Sequence, residues 1–253
     1  MSTLTVNGID VHVEVFEPAG PAAATIVLLH GMGSDSLASW YLTLAKPLSD
    51  AGLRVVMYDL RGHGHTGRPP TGYRLDDFVD DLTALLAAVG AHAPIYLLGN
   101  SFGGTIAFGY AARHPERIAG LATVESAPPT PDWMQRVSMR LAAAGTAAGP
   151  GPRARAAKEL ISATTLLKDL AGSELPAQER IARIDCPVLC VYGGDSGMVK
   201  LAPVVHRLLP HARTVVVPGR RHSLLVDAPE QIRDLVLGWL DRDCRAALTR
   251  PAA

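Results

Sequence analysis

The chain has 253 residues, 48% hydrophobic and 19% charged, a balance that supports a buried core and excludes an intrinsically disordered chain. Its 24 basic and 24 acidic side chains cancel to a formal net charge of zero, with no basic run and only 5% aromatics, so no nucleic-acid partner is expected. The opening stretch MSTLTVNGIDVHVEVF lacks both a basic n-region and an apolar h-region, and no segment reaches 18 continuous apolar residues; neither a secretory signal nor a membrane span is expected.

Along the chain, VHVEVF (11–16) alternates with period two, as a half-exposed antiparallel strand of an N-terminal hairpin should. ATIVLLH (24–30), LRVVMYD (53–59), PIYLLGN (94–100), IAGLATVE (118–125), CPVLCVYG (186–193) and ARTVVVPG (212–219) are short apolar runs bounded by turn residues, the pattern of strands buried on both faces. Helical patterns fall between them at about 37–50, 75–89, 103–114, 198–209 and 229–246. The alternation predicts an α/β fold: a mostly parallel, eight-stranded sheet with helices on both faces. Its core takes 1–126 and 186–253.

Residues 127–185 separate two strands by more than a crossover needs. WMQRVSMRLAAA (133–144) and AAKELISATTLLKDLAG (156–172) have helical periodicity on either side of an Ala/Gly/Pro-rich middle, AAAGTAAGPGPRARAA (142–157). A structureless loop of that length is unusual inside a compact domain, so 127–185 is expected to be a small helical cap with a loose middle. Cys186 and Cys190 stand about 13 Å apart if both lie on one strand, too far for a disulfide or a shared metal. With Cys244 they make an odd count without zinc-type spacing, which fits buried thiols and a cytoplasmic location.

Gly99-Asn100-Ser101-Phe102-Gly103 matches G-x-S-x-G between a predicted strand and a predicted helix. A serine at that turn stands at the carboxyl edge of the sheet, beside a helix N-terminus that favours developing negative charge. LLHGMGSDSLASW (28–40), YDLRGHGHTGRP (58–69) and PGRRHSLLVDAPEQI (218–232) complete a set of four motifs in order. In these the chain resembles the α/β-hydrolases over nearly its whole length. The second motif resembles the HG-x oxyanion loop and the third the D-x-R-G-x-G-x-S segment, with Thr66 where serine is usual. The fourth resembles the catalytic-histidine loop, with Pro229 seven residues after His222.

A serine hydroxyl needs a base, and histidine is the usual one near neutral pH. Of nine histidines, His30, His63 and His65 fall in loops that the resemblance makes structural, His12 lies in an expected edge strand, and His92, His114, His206 and His211 lie at helix ends or short loops. His222, after the last predicted strand, is the candidate. The backbone N–H of Phe102 is one expected oxyanion donor, and the resemblance places the other at Met32. The acid departs from the family pattern. The usual position, counted from Gly193, holds Ser196, with Asp195 one residue early; some relatives place the acid at the end of the strand before the cap, where Glu125 stands here. Glu125 is preferred and Asp195 stays open. Arg220 and Arg221, beside His222, are read as solvated, with binding of an anionic substrate as the alternative.

The expected activity is hydrolysis of a carboxylic ester or thioester of a small or medium acyl group through an acyl-enzyme, with Gly31, Trp133 and Met134 at the substrate. No cofactor or metal is expected. The expected partners are the small-molecule substrate and, for carrier-borne acyl groups, an acyl carrier protein. The composition resembles high-GC actinobacterial proteins, where such enzymes are similar to hydrolases of secondary metabolism. C–C hydrolysis, perhydrolysis, lyase or cyclase chemistry, and a non-catalytic ligand-binding homologue, are the alternatives. Epoxide hydrolase and dehalogenase chemistry needs an Asp nucleophile where this chain has Ser101.

Overall fold

The computed structural model describes residues 2–146 and 151–244. Eight strands form one sheet: β1 (Ser2–Val6), β2 (Ile9–Phe16), β3 (Ala24–Leu29), β4 (Leu53–Tyr58), β5 (Ile95–Asn100), β6 (Ile118–Val124), β7 (Val188–Gly193) and β8 (Arg213–Val217). Their order is β1-β2-β4-β3-β5-β6-β7-β8. β1 and β2 form an antiparallel hairpin across Asn7 and Gly8, both at positive φ, as a two-residue hairpin turn requires. β2 runs antiparallel to β4, and the strands from β4 to β8 are parallel. Strand order reverses at β3 and β5, so a crevice opens at their carboxyl ends.

Successive residues of β3 point to opposite faces and enter two different cores. Val27 and Leu29 pack with Phe78, Leu82, Phe102 and Phe108 from helices Leu75–Ala88 and Phe102–Arg113. Ile26 and Leu28 pack with Leu48, Ile232, Val236 and Trp239 from helices Ala45–Asp50 and Pro229–Asp243. Both faces are therefore covered, as fully apolar strands demand.

Four helices occupy the described part of 127–185: Pro131–Thr146, Pro152–Ala163, Leu166–Ala171 and Gln178–Ile181. Trp133, Met134, Val137 and Leu141 form the buried stripe of the first and share a core with Phe102, Leu160 and Leu166. Part of the expected loose middle, 147–150, lies outside the described residues.

Several boundaries differ from the sequence reading. The expected helix over 37–50 is two pieces, Ala38–Tyr41 and Ala45–Asp50, because Pro47 lacks an N–H and its ring would meet the carbonyl four residues back. Pro203 has the same effect, so a 3-10 turn (Gly197–Leu201) precedes helix Ala202–Leu208. The expected helix over 156–172 breaks where Thr164 is extended and the Thr165 N–H leaves to donate to Pro70 O at 2.9 Å. His12 is not on an edge strand, since β2 lies between β1 and β4; its ring is buried with Nδ1 2.8 Å from the Asp59 carboxylate. Cys186 precedes β7, and all three cysteines are free and buried.

Candidate active site

β5 ends at Asn100, helix Phe102–Arg113 begins two residues later, and Ser101 makes the turn alone at φ 50°, ψ −120°. That conformation costs a non-glycine residue about 1–3 kcal/mol. It is held by Ser101 N–H donating to Val124 O at 2.8 Å and by close packing on either side. A Cβ at Gly99 would lie 2.3 Å from the Gly104 nitrogen, and one at Gly103 would lie 2.3 Å from Leu29 O. Those two glycines are glycines because the helix start presses on β3 and β5. The Phe102 N–H, at the first helical position, has no intrahelical acceptor.

His222 follows β8, and its Nδ1 lies 2.8 Å from Glu125 Oε2. Glu125 stands one residue after β6, fully buried, at φ 55°, with its N–H donating to Val191 O at 2.8 Å. Its carboxylate is fully engaged. Gly193 N–H donates to Oε1 at 2.5 Å, and the Ser196 hydroxyl donates to Oε2. Ser196 Oγ in turn accepts from Met198 N–H at 3.1 Å, which leaves its own proton for Glu125. With Nδ1–H donated to the carboxylate, the lone pair of His222 is at Nε2.

Asp195, the other candidate acid, makes no hydrogen bond or ion pair with His222 among the described residues and is exposed. The reason is the turn after β7. Ser196 N–H donates to Gly193 O at 3.0 Å and Asp195 N–H to Arg220 O at 2.9 Å, so Ser196 turns inward and Asp195 faces solvent. Arg220 and Arg221 are exposed, and their carbonyls pack on Gly193.

The loop after β3 is pinned on both sides of Met32. Gly31 N–H donates to Asp35 Oδ2 at 2.7 Å, and the same oxygen accepts from the Asn100 side chain at 3.2 Å, tying this loop to the serine turn. On the other side Gly33 N–H donates to His63 Nε2 at 2.8 Å. Met32 N–H has no protein acceptor among the described residues. Burial, reinforced by the neighbouring His30, pushes the His63 imidazole down to about 3, so it stays a neutral acceptor. Asp59 anchors the adjoining loop. Burial alone would raise its pKa, but N–H donors from His65 and Leu37 and the His12 ring hold it below the ordinary carboxylate value.

A cavity of about 230 Å³ lies over Ser101, with His222, Met32 and Phe102 around it. Trp133, Val137 and Leu141 of helix Pro131–Thr146 form its apolar wall, and Arg140 lines it too. Two residues expected at the substrate are not part of its lining. Gly31 has its N–H occupied by Asp35, and Met134 is turned into the core beside Trp133. The contacts of Ser196 and Asp35 and the place of Arg140 at the cavity escaped the sequence reading, while His63 is structural as the resemblance implies. Among the described residues no three His, Cys, Asp or Glu side chains stand as a metal site needs, and no helix is long and apolar enough to cross a membrane.

A mostly parallel eight-stranded sheet, with a serine at a strained turn after β5 and a histidine after β8, defines an α/β-hydrolase. The chain has the α/β-hydrolase fold, and the family model of that fold matches residues 24–147. It is similar to the dihydrolipoyllysine-residue acetyltransferase component of the acetoin cleaving system of Pseudomonas putida, at 27% identity over 89% of this chain; it spans 65% of that longer protein. It is 29% identical to the pimeloyl-[acyl-carrier protein] methyl ester esterase of Edwardsiella ictaluri, over 83% of this chain and 91% of the relative. A solved thermophilic esterase from Thermogutta terrifontis shares the fold, with a TM-score of 0.77 at 22% identity over 98% of this chain and 99% of that one.

Proposed function

We propose that the chain is a serine hydrolase that cleaves a carboxylic ester or thioester of a small or medium acyl group. The observation that carries this reading is the 2.8 Å contact between Glu125 and His222, with Ser101 and His222 lining one cavity. In this mechanism His222 Nε2 takes the Ser101 proton as Oγ attacks the carbonyl carbon. The N–H groups of Met32 and Phe102 receive the oxyanion, and Glu125 stabilises the imidazolium without taking its proton. Collapse of the intermediate breaks the bond to the alcohol or thiol, which leaves with the proton from His222. Water, deprotonated by His222, then attacks the acyl-serine and releases the acid. Residues 127–185 serve as the cap, and a cavity smaller than those that hold drug-sized ligands favours short acyl chains.

An acyl group borne on a carrier protein is the second reading, favoured by the likeness to the pimeloyl-[acyl-carrier protein] methyl ester esterase. The test is labelling with a fluorophosphonate together with turnover of p-nitrophenyl esters from acetate to octanoate. Labelling that is abolished in Ser101→Ala, and fastest turnover at the short end, are the expected results. Folded wild-type protein that neither labels nor turns over any ester refutes the proposal and leaves a binding role for the fold.

A further inference from the structure

Arg140 borders two spaces at once. It lines the cavity over Ser101, and it also lines a wider space of about 530 Å³ beside it, together with Arg136 one helical turn earlier, Gln135 and Met198. Some arginines are paired with acids, Arg61 with Asp81, Arg113 with Asp76 and Asp80, and Arg54 with Glu17, while exposed Arg220 and Arg221 are not, among the described residues. Arg140 and Arg136 have no carboxylate partner among the described residues, and the nearest polar contact of Arg140 is Nη1 to the Met198 thioether at 3.2 Å, a weak acceptor. Asp132 is the one acid in the lining of the wider space, which leaves that lining one positive charge in excess. Arg220 and Arg221, which the sequence offered for anion binding, line neither space.

The inner cavity is walled by Trp133, Val137 and Leu141 and suits an apolar acyl group, whereas the guanidinium stands where that cavity meets the charged one. We infer that the substrate is an ester or thioester whose alcohol or thiol portion carries an oxyanion, a carboxylate or a phosphate, bound by Arg140 with Arg136. A guanidinium presents a planar fork of donors that matches either group in two parallel hydrogen bonds. The inference rests on the esterase reading for the orientation of the substrate and makes Arg140 a specificity-determining residue for it.

The experiment compares three butyrate esters: phenyl, 4-carboxyphenyl and 4-phosphonooxyphenyl. Binding of each to the Ser101→Ala protein is measured by calorimetry, and kcat/KM by wild type and by Arg140→Gln in the Ser101 background. At least tenfold tighter binding of one anionic ester than of phenyl butyrate is expected, and which of the two it is distinguishes carboxylate from phosphate. The same preference in kcat/KM should shrink about tenfold in Arg140→Gln and persist in Arg220→Ala. Equal binding of all three esters, or a preference that survives Arg140→Gln, overturns the inference. Absence of turnover alongside selective binding counts against the esterase reading alone, because the binding arm needs no catalysis.

Discussion

Glutamine at position 125 keeps the shape of the side chain and removes one charge. Its amide has only one orientation compatible with its surroundings. Gly193 N–H stands 2.5 Å from Oε1, so the amide oxygen must stay there, since an NH₂ group would set donor against donor. The amide nitrogen then faces His222 Nδ1, where the carboxylate oxygen accepted at 2.8 Å. It donates to Nδ1 and drives the imidazole proton to Nε2, the atom that must accept from Ser101. Wrong-tautomer substitutions of this kind lower kcat by about 10⁴, or about 5 kcal/mol of barrier. Glu125→Gln should therefore cost about that factor in kcat on p-nitrophenyl butyrate, with KM changed less than about threefold. Loss of one charge-assisted hydrogen bond should lower the unfolding midpoint by no more than about 10 °C. Asp195→Asn, at an exposed turn, should stay within about threefold of wild type. A Glu125→Gln enzyme keeping more than a tenth of its kcat, or an Asp195→Asn enzyme losing most of it, refutes the assignment.

Ser196→Ala removes the hydroxyl that donates to Glu125 Oε2; kcat should fall about tenfold with KM nearly unchanged, and Ser196→Thr should restore most of it, as steady-state kinetics will read. Stability should decline as pH falls from about 6.5 toward 3, because the unfolded chain protonates His63 near its ordinary value while the buried ring in the fold resists until about 3. Between pH 6.5 and 4.5 this group should account for about 2 to 3 kcal/mol of the decline, seen as a shallower dependence of urea unfolding on pH in His63→Gln; an unchanged dependence removes His63 as its source.

The serine turn was legible because its requirements are local. Gly99 and Gly103 record steric contacts within a few residues or one strand away, and the G-x-S-x-G spacing reports them directly. His222 could be selected from nine histidines by its place after the last strand. The acid could not be decided in the same way. Whether residue 195 or 196 turns inward depends on the Asp195 N–H reaching Arg220 O, 25 residues downstream, and on Ser196 finding Glu125, 71 residues upstream. Apolar periodicity ran straight through Pro47 and Pro203, so two helices were read as longer than backbone chemistry allows. Nothing in the sequence singles out Arg140, which sits beside the apolar stripe of its helix; only the packing of that helix over Ser101 brings it to a cavity.

Glu125 lies just after β6, two residues before Ala127, and the segment that follows is tightly bound. Tyr192 donates to Ser126 O at 2.8 Å, Thr105 to Ala127 O at 3.3 Å, and the Trp133 indole to Thr105. In this chain the carboxylate beside His222 stands two residues from Ala127, so a chimaera joined downstream of Trp133 keeps these contacts intact. Replacing the whole of 127–185 would remove Ala127 and Trp133, and with them the contacts to Thr105 that stand beside Glu125.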